Sequence, residues 1–311
     1  KPGAPKLSIR NDETGPTVDM TTGSFGPVSG AFTGTANFSE AVTGFAVGDF
    51  TVGNGAASAF SATSATVYTA LITPASDGAV TVDVASGAAQ DAAGNGNAAA
   101  TQFSITNDET APTVALTTGS ADPVSGAFTL TATFSEDVTG FALGDFTVGN
   151  GAASAFSATS ATVYTVLITP AGDGAVTVDV AAAAAQDTAG NDNTAAAQFS
   201  ITNDETAPTV ALTTGSSDPV SGAFTVTATF SEDVTGFGLG DFTVGNGAAS
   251  AFSATSATVY TALITPASDG SVTVDVAAAA AQDAAGNDNT AATQFSITND
   301  ETAPTVALTT G

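Results

Sequence analysis

The chain has 311 residues, 30 of them Asp or Glu against three Lys and Arg and no His, for a net charge of −27, and 43% of it is hydrophobic. That apolar content marks a folded protein rather than an acidic disordered tail, and the charge argues against nucleic acid or an anionic membrane surface as a direct partner. There is no Cys, so stability rests on packing, with metal as the one other source open to it, and not on disulfides, and no apolar run is long enough for direct membrane insertion.

One unit is written three times. Asn-Asp-Glu-Thr-Gly-Pro-Thr begins at Asn11, and Asn-Asp-Glu-Thr-Ala-Pro-Thr begins at Asn107, Asn203 and Asn299, each 96 residues after the last. Leu7-Ser8-Ile9-Arg10 aligns with Phe103-Ser104-Ile105-Thr106. The reading is of modules at 11–106, 107–202 and 203–298, with the tail of a preceding module at 1–10 and the first strand of a following one at 299–311. Lys1, Lys6 and Arg10 precede the first unit, so no basic side chain lies within the repeats.

Alternating apolar and polar residues mark the strands. In the second copy Thr113–Thr117 reads as the first strand and Gly119–Gly126, with Asp122-Pro123, as a turn. Phe128, Leu130, Ala132 and Phe134 alternate with threonines in a second strand that runs to Glu136. Val138–Leu143 reads as a short third strand and Phe146–Val148 as a fourth, followed by a turn at Gly149-Asn150-Gly151. Thr162–Thr169 is the fifth. After a turn at Pro170–Gly174, Val176, Val178 and Val180 face inward from the sixth, with Ala181–Ala185 continuing it into a loop. Ala195–Thr202 closes the unit. Seven short strands with frequent turns predict an all-β chain: a tandem array of three antiparallel β-sandwich modules of about seven strands each, which the resemblance given below makes Ig-like.

Up-and-down strands put successive turns at opposite poles. With the entry at Asn107–Thr110 taken as the top, the second and sixth strands also end there. Asp108-Glu109, Glu136 and Asp187 therefore converge, and Asn191 of the Asp187–Asn191 loop can add an amide oxygen. The matching residues are Asp12, Glu13, Glu40 and Asp91 in the first unit and Asp204, Glu205, Glu232, Asp283 and Asn287 in the third. Acidic side chains in turns are ordinarily just solvated, but these recur and meet at one place without a cation from the chain. Ca²⁺ takes about six to eight oxygen ligands of this kind; Mg²⁺ prefers to keep its waters, and softer metals lack His and Cys. Asp122, Asp145 and Asp173 are expected in turns at the opposite pole, facing the next linker, where a cation could draw ligands from neighbouring modules of the same chain. The linker has no Gly and Pro208 follows closely, which predicts a stiff joint.

Catalysis finds no support, because His, Cys and in-repeat Lys are missing as bases or nucleophiles. The aromatic residues Phe128, Phe134, Phe146, Phe156, Tyr164 and Phe199 are read as core.

Thr-Ala-Pro-Thr-Val at 110–114, Thr-Ala-Thr-Phe-Ser-Glu at 131–136, Val-Thr-Gly-Phe at 138–141, Asp-Phe-Thr-Val-Gly-Asn-Gly at 145–151 and Asp-Thr-Ala-Gly-Asn at 187–191 resemble the bacterial immunoglobulin-like repeats of large surface adhesins, biofilm-associated and RTX-type adhesins among them. The resemblance implies an extracellular, calcium-rigidified stalk at the bacterial cell surface, with Asp108, Glu109, Glu136, Asp187 and their counterparts as ligands. The first unit departs from the pattern, with Gly26 in the place of Asp122 and Gly96 in that of Asp192. The expected function is a non-enzymatic extender segment of an adhesin. The alternative is a subunit of an extracellular filament, surface layer or biofilm matrix fibre, in which identical chains touch one another.

Overall fold

The computed structural model describes residues 11–308. The expected preceding tail at 1–10 and residues 309–311 lie outside them. The first module holds β1 (Val18–Thr22), β2 (Phe32–Phe38), β3 (Phe50–Gly53), β4 (Gly55–Ala62), β5 (Val67–Pro74), β6 (Gly78–Val84) and β7 (Phe103–Asn107). The second holds β8 (Val114–Thr118), β9 (Phe128–Phe134), β10 (Phe146–Gly149), β11 (Gly151–Ala158), β12 (Val163–Pro170), β13 (Gly174–Val180) and β14 (Phe199–Asn203). The third repeats this as β15 (Val210–Thr214), β16 (Phe224–Phe230), β17 (Phe242–Gly245), β18 (Gly247–Ala254), β19 (Val259–Pro266), β20 (Gly270–Val276) and β21 (Phe295–Asn299). All ladders between these strands are antiparallel.

Each module is a sandwich of four strands on three. In the second module the sheets run β8-β9-β12-β11 and β10-β13-β14, the strand arrangement of a constant-type Ig sandwich. The inner faces follow from alternation: Phe128, Leu130, Ala132 and Phe134 of β9 and Tyr164, Val166 and Ile168 of β12 meet Val176, Val178 and Val180 of β13. Fully burying one such side chain is worth about 1.5–3 kcal/mol, so the inward set drives the pairing. The first module has Gly34 where the second has Leu130. A Cβ there would lie 3.2 Å from Ile72 Cγ1 and 3.9 Å from Met20 Cε, so Met20 occupies part of the space that Leu130 fills in the second module.

The structure corrects the expected third strand. Val138–Leu143 is not a strand; the chain crosses between the sheets there and ends in a 3₁₀ turn at Leu143–Asp145. Val138 and Phe141 are buried three residues apart, with Gly140 at φ 86° between them. Phe141 plugs the upper end of the core among Phe134, Tyr164 and Phe146, with ring centroids 5.0, 5.1 and 5.2 Å away. The seventh strand is instead β11, in a stretch to which the sequence reading assigns no element beyond the turn at Gly149-Asn150-Gly151. Ala155 sits at φ 48° and shifts the register between Ser154 and Ser157. This bulge puts Ala153 and Phe156 on the core and hides the two-residue period. Ala181–Ala185 does not prolong β13 either; Ala183 turns the chain at φ 59°.

After β21, residues 300–308 form no strand. Val306 and Leu308, which stand where Val210 and Leu212 pack in the third module, are exposed.

Candidate metal centre

The first of the three converging acids sits on the linker. The Asp108 N–H donates to Val28 O of the first module at 2.9 Å, its carbonyl accepts Asn191 Nδ2 of the second at 2.7 Å, and its Oδ1 accepts the Thr110 N–H. The second, Glu136, follows β9. There the Ser135 N–H donates to Thr113 O and the Thr113 N–H to Ser135 Oγ, which ties the strand end to the module entrance.

The third, Asp187, lies buried in the loop after β13. Its Oδ1 accepts the N–H groups of Gly190 and Asn191, at 2.7 and 2.8 Å. Its Oδ2 accepts Asn191 Nδ2 at 2.8 Å. Asn193, also buried, closes the same loop: Oδ1 takes the Ala185 N–H, and Nδ2 donates to Ala181 O and Thr194 O.

One carboxylate oxygen from each of Asp108, Glu136 and Asp187 lies within 4.8 Å of the other two. The same holds for Asp12, Glu40 and Asp91, and for Asp204, Glu232 and Asp283. Burial, and then the charges of Asp108 and Asp187, push the Glu136 carboxyl above its ordinary value; burial, Asp204 and Asp283 do the same to Glu232. Burial alone would raise Asp187, but the Asn191 amide and the loop N–H groups outweigh it and hold that carboxyl low. The second triad thus contains one carboxylate well solvated by the protein, Asp187, and one without a compensating partner, Glu136.

The other expected ligands are placed differently. Asn191 and Asn287 belong to the site, but each turns its NH₂ group to two acceptors, the buried aspartate and the linker carbonyl. Through that group they tie the buried aspartate to the linker; the amide oxygen expected as a ligand is the side chain's other atom and takes no part in these bonds. Glu109 and Glu205 lie outside the triads; their Oε1 atoms approach Gly30 and Gly126 of the preceding modules. Glu13 accepts Asn11 Nδ2 and is likewise outside. Asp145 is not at the lower pole, because Phe146 pairs with Val180 at the upper end of β13; its carboxylate accepts the Ala142 N–H within the 3₁₀ turn.

At the lower pole the linker is held by hydrogen bonds. Asp173 Oδ1 accepts the Glu205 N–H at 2.7 Å, and its Oδ2 accepts the Thr206 hydroxyl. Asp77 holds Glu109 and Thr110 in the same way. The Thr206 hydroxyl, followed by the Glu205 N–H, keeps the Asp173 carboxyl below its ordinary value. Asn203, buried, accepts the Gly126 N–H and donates to Gly172 O. Asp122 adds a bond from the Thr202 N–H, which Gly26 cannot supply in the first module.

The modules on either side share the linker. Contacts to the preceding module continue through Thr206, while contacts to the following one already begin at Asp204, whose carbonyl accepts Asn287 Nδ2. The roles of Asn203 and Asn193 were not read from sequence. Their signal is recurrence at 96-residue spacing, shared with Asn107, Asn299, Asn97 and Asn289.

A family model described as Bacterial Ig-like domain matches residues 12–106, 108–202 and 204–299. The chain belongs to the bacterial Ig-like domain family. No curated protein matches it significantly. Solved structures that resemble these bacterial Ig-like modules include invasin, a bacterial integrin-binding protein, at 14% identity and TM-score 0.34 over 92% of this chain and 60% of that one. Yersinia pseudotuberculosis InvD matches at 12% identity and TM-score 0.38 over 92% and 98%. SGBP-B of the Bacteroides ovatus mixed-linkage glucan utilization locus, in complex with a mixed-linkage heptasaccharide, matches at 16% identity and TM-score 0.20 over 96% and 69%. At these identities and scores none of the three bears on ligand or activity.

Proposed function

We propose that the chain is a non-enzymatic extender segment of a bacterial cell-surface or secreted adhesin, its modules joined end to end and stiffened by Ca²⁺. The observation that carries this reading is the acidic triad at the entrance of every module, with one carboxylate from the linker and two from the module, and no basic residue in the repeats to neutralise it. Asp108, Glu136 and Asp187 would hold the cation, as would Asp12, Glu40 and Asp91, and Asp204, Glu232 and Asp283. The donors are all hard oxygens, and three carboxylates with water complete the sphere that Ca²⁺ takes. The cation supplies positive charge where the chain has none and ties the linker to the module that follows. Near-identical copies suit a spacer whose length grows with copy number.

Thermal unfolding tests the reading. A ligand bound only to the folded state adds about 1.4 kcal/mol per site at tenfold over its Kd. The expected result is a rise in melting temperature when Ca²⁺ replaces chelator, larger than with equal Mg²⁺. Identical melting in all three conditions means that the triads are solvated surface and the cation-stiffened stalk is wrong.

A further inference from the structure

We infer that each module orders its own exit linker, before any cation binds and before the next module is in place. The decisive joint is the one after β21, where no following module is present among the described residues. There Asn299 Oδ1 accepts the Gly222 N–H at 3.1 Å and Asn299 Nδ2 donates to Ser268 O. The Asp300 N–H donates to Val220 O at 2.9 Å. Asp269 Oδ1 accepts the Glu301 N–H at 2.7 Å, and its Oδ2 accepts the Thr302 hydroxyl. The Thr302 N–H donates to Asp300 Oδ1.

These are the bonds that hold Asn203 to Thr206 on the second module and Asn107 to Thr110 on the first. Apart from the N–H of Thr206 and its equivalents on the linker aspartate, none uses a triad side chain, and none uses one from the body of the following module. Asp173 and its equivalents are therefore splints: they fix the two residues after the linker aspartate, Asn203 and the Asp204 N–H hold the chain up to it, and the Thr206 N–H fixes that aspartate's own carboxylate. The linker reaches the next module already shaped, and the entropy of ordering it is not charged to the joint. This splint is separate from the cation reading and stands or falls without it.

The test is a distance measurement between spin labels in chelator. The chain has no Cys, so Thr129→Cys and Thr225→Cys, at exposed equivalent sites of adjacent modules, give two unique labels. The expected result is a narrow distance distribution in EDTA that becomes at least about twofold broader in Asp173→Ala, with Thr206→Val and Asp173→Asn intermediate, because each keeps part of the splint. Thr206→Val leaves the lower turn itself intact, which guards against local misfolding in the alanine variant. A parent distribution in EDTA as broad as that of Asp173→Ala, narrowing only with Ca²⁺, overturns the inference. So does an Asp173→Ala distribution as narrow as the parent's.

Discussion

Replacing Asp187 with Ala is expected to cost the second module about 2 kcal/mol in chelator, because part-buried donors left without their acceptor cost about 1–3 kcal/mol, and to cost more in Ca²⁺, where a ligand of the proposed site is lost as well. The carboxylate serves the N–H groups of Gly190 and Asn191 and the Asn191 amide, and through that amide it also holds Asp108 O. Its removal loosens the loop and the joint together. In denaturant unfolding of the whole chain, the variant should show an early transition carrying one module's share of the signal. Asp187→Asn keeps an acceptor oxygen toward the two N–H groups and should lose less. If the alanine variant unfolds in a single transition at the parental midpoint, the loop is not organised around this carboxylate.

Glu136→Gln should act in the opposite direction. In chelator it should raise the melting temperature of the second module, since the side chain it removes is a charge disfavoured by burial and by Asp108 and Asp187. In Ca²⁺ it should abolish most of the gain, which at a hundredfold over the Kd is about 2.7 kcal/mol for one site. The pH dependence in chelator has matching signs. A carboxyl whose folded value is raised binds protons more readily in the native state, so this group's contribution improves as pH falls through its raised value toward the ordinary Glu value of about 4.3. Glutamine should remove that trend. Asp173 behaves inversely: its folded value is lowered, so its contribution is present above the ordinary Asp value of about 3.9 and is lost as pH falls through the folded value. A Glu136→Gln variant that is less stable in chelator and retains the full Ca²⁺ response would refute the assignment of this residue.

The meeting of Asp108, Glu136 and Asp187 was legible in the sequence because strand parity alone sends the ends of β9 and β13 to the pole where the linker enters. That inference survived an error in the middle of the module. Counting Val138–Leu143 as a strand and leaving out β11 are compensating mistakes for everything downstream of β12, but not for Asp145, which lies between them and was sent to the wrong pole. The missed strand is built from Ala, Ser and one Phe around a bulge, and the false one is a loop pinned by Val138 and Phe141. Both depart from two-residue alternation for reasons of packing across the sandwich, which no local pattern encodes. Asp173 was rightly expected to face the linker, but as a cation ligand. Its actual partners, Thr206 and the Glu205 N–H, emerge only when the turn and the linker lie side by side.

The splint also bears on how neighbouring copies avoid each other while folding. With modules this alike, β15 carries the side chains needed to pair with β9 in place of β16, and such cross-pairing is a characteristic hazard of repeat proteins. Thr206, however, is tied to the lower pole of the second module, four residues before β15 begins at Val210. Four residues reach at most about 14 Å. The start of the β8 position, beside Phe134, lies the full length of β9 away, roughly 20 Å at the rise of a strand. Once a module has closed on its own exit, the next copy's first strand is on too short a leash to turn back onto it.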